Sequence, residues 1–386
     1  MSARPLCHRI VLAASLTLFA FASADTTPAR GAPLAPGSID PARTRAFAVG
    51  VLTFKQTSDW ASFTPKGRRD VQMVEHLKHR GIAGDRITYL QDKQATADAV
   101  RDGLRQVVAA AGAGETLIVY YAGHGFLDKG QGYLAAYDTA DAHATWLSMR
   151  DLVQIIEDGF HGERVLMFID CCHSGRLAED VTRRPHPRAA WAVFAASTSQ
   201  NSSTGNWTFS QAVLDALSGN PLVDRNHDGR ITAQEFADYI ADEMTLFEEQ
   251  LAAHAFTGGF DPQTVLSVAT PAPQSPRYGE RVKVKYNKEW WNGRIMATKG
   301  QQALIRWVEI GFDTKSDDEW VDLSTVRPLK LVQYPVGTKL EVKWKKDWYP
   351  AKVIALQGCL HQVRYDGYTA DDDEWVPARR MRLTKQ

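Results

Sequence analysis

Cysteine is scarce in this chain, with four among 386 residues. Cys7 falls in the N-terminal segment 1–24, and the others are the adjacent Cys171 and Cys172 and the isolated Cys359. Such a set does not make the even, spaced framework of a disulfide-stapled domain, so the fold must be held by its core. Net charge is absent as well: 45 Lys and Arg balance 45 Asp and Glu. That gives no general pull toward nucleic acid or a membrane surface, and no nucleic-acid partner is expected. Nor does any apolar run reach the roughly 20 residues that a spanning helix needs. The run from Ile10 to about Ala22 follows Arg4, His8 and Arg9 and precedes Ala22-Ser23-Ala24. This is the layout of a signal peptide over residues 1–24. It predicts export, periplasmic or secreted, with Asp25 as the first mature residue and no membrane span in the mature chain.

Residues 25–43 are rich in Pro, Ala, Gly and Ser without periodicity and read as a flexible tail. From 44 to 268 the pattern alternates. Strands are predicted at 46–52, 86–90, 116–120, 165–169 and 189–195, and helices at 67–80, 95–110 and 148–158. The alternation predicts an α/β domain with a mainly parallel sheet and helices on both faces. A linker at 269–276 (TPAPQSP from Thr270) closes it, and the texture then changes to short strands and many tryptophans. Arg281–Ile295 aligns with Lys339–Val353, and DDEWV at Asp317 recurs at Asp372. Val282, Val284 and Tyr286 alternate with the period of half-buried strands. Two small all-β barrels are expected, at 277–330 and 334–386.

Two strings carry chemistry. YYAGHG ends in His124 and Gly125, and DCCHSG runs from Asp170 to Gly175, each behind an apolar run with strand character. In open α/β sheets reactive side chains gather at the carboxyl ends of the strands, so the two can meet. A histidine about 50 residues ahead of a cysteine is the caspase spacing. The string DCCHSG is similar to that of metacaspases and bacterial caspase-like proteins, whose nucleophile directly precedes His-Ser-Gly. The resemblance covers roughly residues 44–268. It implies a cysteine endopeptidase acting on protein or peptide substrates, with Cys172 rather than Cys171 as nucleophile and His124 as its base. It further implies an oxyanion hole made by the backbone N–H groups of Gly125 and Cys172. His173 is the alternative base, although adjacent side chains on an extended chain point apart. Metacaspases place acidic residues where this chain has Asp70 and Asp170, implying cleavage after Arg or Lys. They commonly have serine where this chain has Ala122. A catalytically inactive scaffold is the alternative function.

Asp224, Asn226, Asp228, Gly229, Thr232 and Glu235 fall at positions 1, 3, 5, 6, 9 and 12 of DRNHDGRITAQE, with the Arg230 carbonyl at position 7. That is the spacing of an EF-hand loop and predicts structural calcium; no organic cofactor is expected. The terminal repeats are similar to tandem Tudor or chromo-barrel modules of SH3-like architecture. Such barrels hold cationic ligands in aromatic cages. Candidates are Tyr286, Trp290, Trp307, Phe312 and Trp320, then Trp344, Trp348, Tyr365, Tyr368 and Trp375. The ligand is left open between a peptide, another envelope protein and a surface polymer.

Overall fold

The computed structural model describes residues 38–384 except 59, 65–67, 185–186, 201–202, 204 and 308–317. The expected signal peptide, most of the tail and Phe312 therefore lie outside the described residues. The larger domain begins with β1 (Thr44–Gly50), α1 (Arg69–His79), β2 (Ile87–Gln91), α2 (Ala97–Ala109) and β3 (Thr116–Ala122). A small antiparallel sheet follows, made of β4 (Gly125–Asp128), β5 (Gln131–Ala135) and β6 (Trp146–Ser148). Then come α3 (Met149–Gly159), β7 (Arg164–Asp170), α4 (Gly175–Thr182), β8 (Ala190–Ala195) and α5 (Thr208–Ser218). The domain ends with β9 (Arg230–Thr232), α6 (Ala233–Phe247), β10 (Ala253–Thr257) and β11 (Val265–Val268).

The main sheet has the order β10-β8-β7-β3-β1-β2, parallel except for β10. β3 (TLIVYYA) and β7 (RVLMFID) are its central strands and are almost wholly buried, which is why their sequences are continuous apolar runs rather than alternations. α2, α3 and α4 cover one face, while α1, α5 and α6 cover the other. The expected α/β architecture is observed.

Local chemistry sets the helix starts. Thr96 caps α2 through its hydroxyl, Ser148 caps α3, and Thr232 with Glu235 forms a capping box on α6. α5 lacks a side-chain cap of its own, since Trp207 precedes it in the left-handed region at φ 57°. The carboxylate of Asp170, at the end of β7, supplies that cap from a distance and accepts the Ser210 N–H at 3.1 Å.

The C-terminal third holds two five-stranded antiparallel sheets. The first is β12 (Arg281–Tyr286), β13 (Glu289–Lys299), β14 (Gln302–Trp307), β15 (Asp318–Asp322) and β16 (Val326–Pro328). The second is β17 (Lys339–Trp344), β18 (Asp347–Gln357), β19 (Leu360–Tyr365), β20 (Glu374–Pro377) and β21 (Met381–Leu383). Their strand orders correspond one to one, and a bulge falls between Ile295 and Ala297 in one and between Val353 and Ala355 in the other. Val282 and Val284 enter the first core, but the alternation stops at Tyr286, which is exposed.

Candidate active site

β3 and β7 run side by side in register, with Ala122 opposite Asp170. His124 and Cys172 therefore stand two residues beyond one paired position, on neighbouring chains leaving the same sheet edge. Gly123 N–H still bonds the Asp170 carbonyl at 3.2 Å. Gly125 is required by this closeness, because a Cβ there would overlap the Cys172 carbonyl and crowd the Cys171 sulfur.

The backbone of His124 is pinned by the buried Tyr121, whose hydroxyl lies 2.8 Å from the carbonyls of both His124 and Ala135. Its ring packs against Phe63, with centroids 4.4 Å apart, and also against Phe54 and Trp60. Nε2 lies 2.8 Å from the Ala61 carbonyl. A carbonyl only accepts, so Nε2 carries the proton and Nδ1 keeps the basic lone pair. Burial holds the imidazole below its ordinary pKa, outweighing the opposite effect of that bond.

Cys172 is partly exposed, whereas Cys171 is buried and burial drives its thiol far above the ordinary value. The Cys172 sulfur accepts from the Ser203 N–H at 3.1 Å. It stands three residues before the first residue of α4, whose N-terminal end favours an anion. His173 departs from the extended chain expected of it: β7 has ended, and His173 takes φ 58° with Nδ1 3.1 Å from the Ser199 carbonyl.

The two acidic positions flank the same sheet edge, and both are engaged. Asp70, 1% exposed, lies against Gly50 at the end of β1, where a Cβ would overlap its carboxylate. Arg68 binds it through Nη2 at 2.6 Å, Tyr89 donates to it at 2.7 Å, and Arg68 also reaches Asp92 at 2.5 Å. Asp170, 3% exposed, accepts from the Ser210 hydroxyl at 2.6 Å as well as from its N–H. Burial pushes its carboxyl up to about 6. Ser210 spends its one proton on Asp170, so Tyr120, 2.7 Å away, donates to Ser210. Arg68, Tyr89, Asp92, Ser210 and Ala61 were missed in the sequence. Arg68, two residues before Asp70, and the paired tyrosines before Ala122 lie close enough to the candidate residues to have drawn notice.

Away from this edge, Asp224 is buried and its Oδ2 accepts the Gly229 N–H at 3.0 Å. Glu235 accepts from Arg225 N–H at 3.1 Å and from Thr232 N–H at 2.9 Å, while Asn226 and Asp228 are exposed. In the barrels Trp307 is core, Trp290 lies under Arg327 at 3.7 Å, and Trp348 lies under Arg382 at 4.0 Å. Trp320, Trp344 and Tyr368 are exposed and Trp375 is half-buried. Tyr365 donates to Glu374 at 2.8 Å and stands edge-on to Tyr349. No helix among the described residues is long and apolar enough to cross a membrane.

Residues 66–244 match the family model described as Caspase domain, and residues 337–386 match that described as Agenet domain. No curated protein matches the chain. A solved protein of Geobacter sulfurreducens aligns with 19% identity over 59% of this chain and 100% of its own, with a TM-score of 0.44. The AGD34 portion of Arabidopsis thaliana AGDP1 aligns with 17% identity over 30% of this chain and 86% of its own, with a TM-score of 0.13. The first barrel lies outside both family models and is related to the second by its sequence repeat and strand order.

Proposed function

We propose that this chain, which carries a caspase domain at 66–244 and an Agenet domain at 337–386, is a cysteine endopeptidase of metacaspase type with His124 and Cys172 as its dyad. The family described by the Caspase domain model at 66–244 is one of cysteine peptidases, which supports this chemistry. The observation that carries the finer reading is the His124 ring. Its Nε2 proton is committed to Ala61, which leaves Nδ1 as the base at a strand end beside the one that leads to Cys172.

In this mechanism the Cys172 thiol gives its proton to Nδ1 and the sulfur attacks the scissile carbonyl carbon. The oxyanion is met by the N–H groups of Gly125 and Cys172. Collapse breaks the C–N bond, and the leaving amine takes the proton back from His124. Water, deprotonated by the same nitrogen, then hydrolyses the thioester and restores the thiol. Preference for Arg or Lys before the cut would come from Asp170 and Asp70 at the same edge. The barrels would bind or target the enzyme through exposed aromatics such as Trp320, Trp344 and Tyr368. We propose export from the N-terminal pattern of residues 1–24.

A peptidyl electrophile ending in arginine tests the proposal. At neutral pH it should label the wild type within minutes and leave Cys172→Ala unlabelled. Equal, slow labelling of both would point instead to the inactive scaffold.

A further inference from the structure

Asp224 presents a buried polar atom that the proposed peptidase does not use. The residue is 6% exposed and its Oδ2 takes the Gly229 N–H across the loop, yet its Oδ1 is buried without a hydrogen-bond partner. An unmade bond on a buried carboxylate is costly, so the unpartnered oxygen points to a ligand. Arg225, the neighbouring cation, does not fill the gap, because its guanidinium turns to Asp242 at 2.8 Å.

We propose that residues 224–235 bind one calcium ion, using Asp224, Asn226, Asp228, the Arg230 carbonyl and Glu235, and that the ion braces the α5–α6 pair on which the first barrel docks. The donors are all oxygens and three are carboxylates, which suits a hard divalent cation of the size of calcium. Gly229, at φ 85°, makes the turn that brings its N–H back to Asp224. Thr232, at position 9, also caps α6. Its hydroxyl accepts the Glu235 N–H and donates to the Glu235 carboxylate, so it would reach the ion only through water. Among the described residues no three His, Cys, Asp or Glu side chains converge on one point. Asp228, which is exposed and accepts from the Arg230 N–H and the Asn226 amide, would turn to the ion on binding.

The ion matters beyond its loop because of what the two helices hold. α5 carries Ser210 in its first turn, which binds Asp170, and Asp215, which binds Arg306 of β14 at 2.9 Å. α6 starts in the loop itself and carries Glu243, which binds Arg281 and Arg294 of the first barrel.

The test uses the full chain as Cys172→Ala, so that calcium binding is read without peptidase activity and its outcome does not depend on the dyad. After chelation, titration calorimetry with calcium chloride should give one site of millimolar affinity or tighter, and the melting temperature should rise by several degrees. Magnesium should reproduce neither effect. Asp228→Ala, at an exposed position, should weaken calcium at least tenfold while leaving the melting temperature in chelator unchanged. Glu235→Gln should weaken it further. No heat and no melting shift at millimolar calcium, an equal response to magnesium, or unchanged affinity in Asp228→Ala would each overturn the assignment.

Discussion

In the proposed mechanism the bond from His124 to Ala61 sets which face of the ring would act as base, and the burial that accompanies it sets at what pH. Because the folded ring titrates below its ordinary value near 6.5, the neutral base persists on acidification. The acid limb of kcat/KM should then fall at a lower pH than for a solvated histidine. His124→Ala should abolish turnover, while His173→Ala, whose ring is held at Ser199, should cost less than about tenfold in kcat; the reverse order would move the base. Cys172→Ala should be inactive, and Cys171→Ala active but less stable, since it removes a buried sulfur beside Gly125. Arg68 raises a separate question of specificity. It already neutralises Asp70, at 2.6 Å, so a substrate cation meets less negative charge there than the sequence suggests. Arg68→Gln should raise the preference for Arg over Leu before the cut by about tenfold, or about 1.4 kcal/mol. An unchanged ratio in a peptide-library digest would make Asp70 a structural residue only.

Among the elements, the junction of β7 with α5 shows what was legible and what was not. The apolar runs of β3 and β7 announce central strands, and their motifs announce a site at the strand ends. Asp170 also caps α5, a role hidden from the sequence because the cap comes from 40 residues away and local capping patterns cannot reveal it. The small sheet β4–β5–β6 and the antiparallel edge strand β10 were likewise hidden, being short segments defined by their pairing partners. The burial of Asp170 has a consequence for stability. Its folded carboxyl titrates at about 6, above the roughly 3.9 of an unfolded aspartate. The folded state therefore binds more protons between those values, and stability is lost as pH rises through that window. The full cost above it is about 3 kcal/mol for a shift of two units. Asp170→Asn keeps an oxygen to accept from Ser210, so it should melt higher than the wild type at pH 7.5 and equally near pH 4. A constant difference across that range would show that ionisation of Asp170 is not the cause.

At the scale of the whole molecule, the internal repeat identified two barrels but not where they sit, and the reason lies in single substitutions between the repeats. Arg306 pairs with Asp318 inside the first barrel, as Arg364 pairs with Asp373 inside the second. Arg281 and Arg294, however, stand where the second repeat has Lys339 and Lys352. These two arginines converge on Glu243 of α6, and both Arg294 and Glu243 are buried. A planar guanidinium serves a buried, shared carboxylate better than an ammonium does. The departures from the repeat thus mark the docking face. Removing one partner of a buried pair leaves an uncompensated charge and costs roughly 3–5 kcal/mol, whereas an exposed pair contributes about 0–1 kcal/mol. Glu243→Leu should therefore undock the first barrel while both barrels stay folded, since neither barrel core includes Glu243. Limited proteolysis should then cut the linker at 269–276 much faster than in the wild type. Arg364→Ala, which breaks the more exposed pair, should leave that rate unchanged. Equal protection of the linker in Glu243→Leu would mean that the barrel is held by its other contacts, Arg306 with Asp215 and Tyr278 with Asn220.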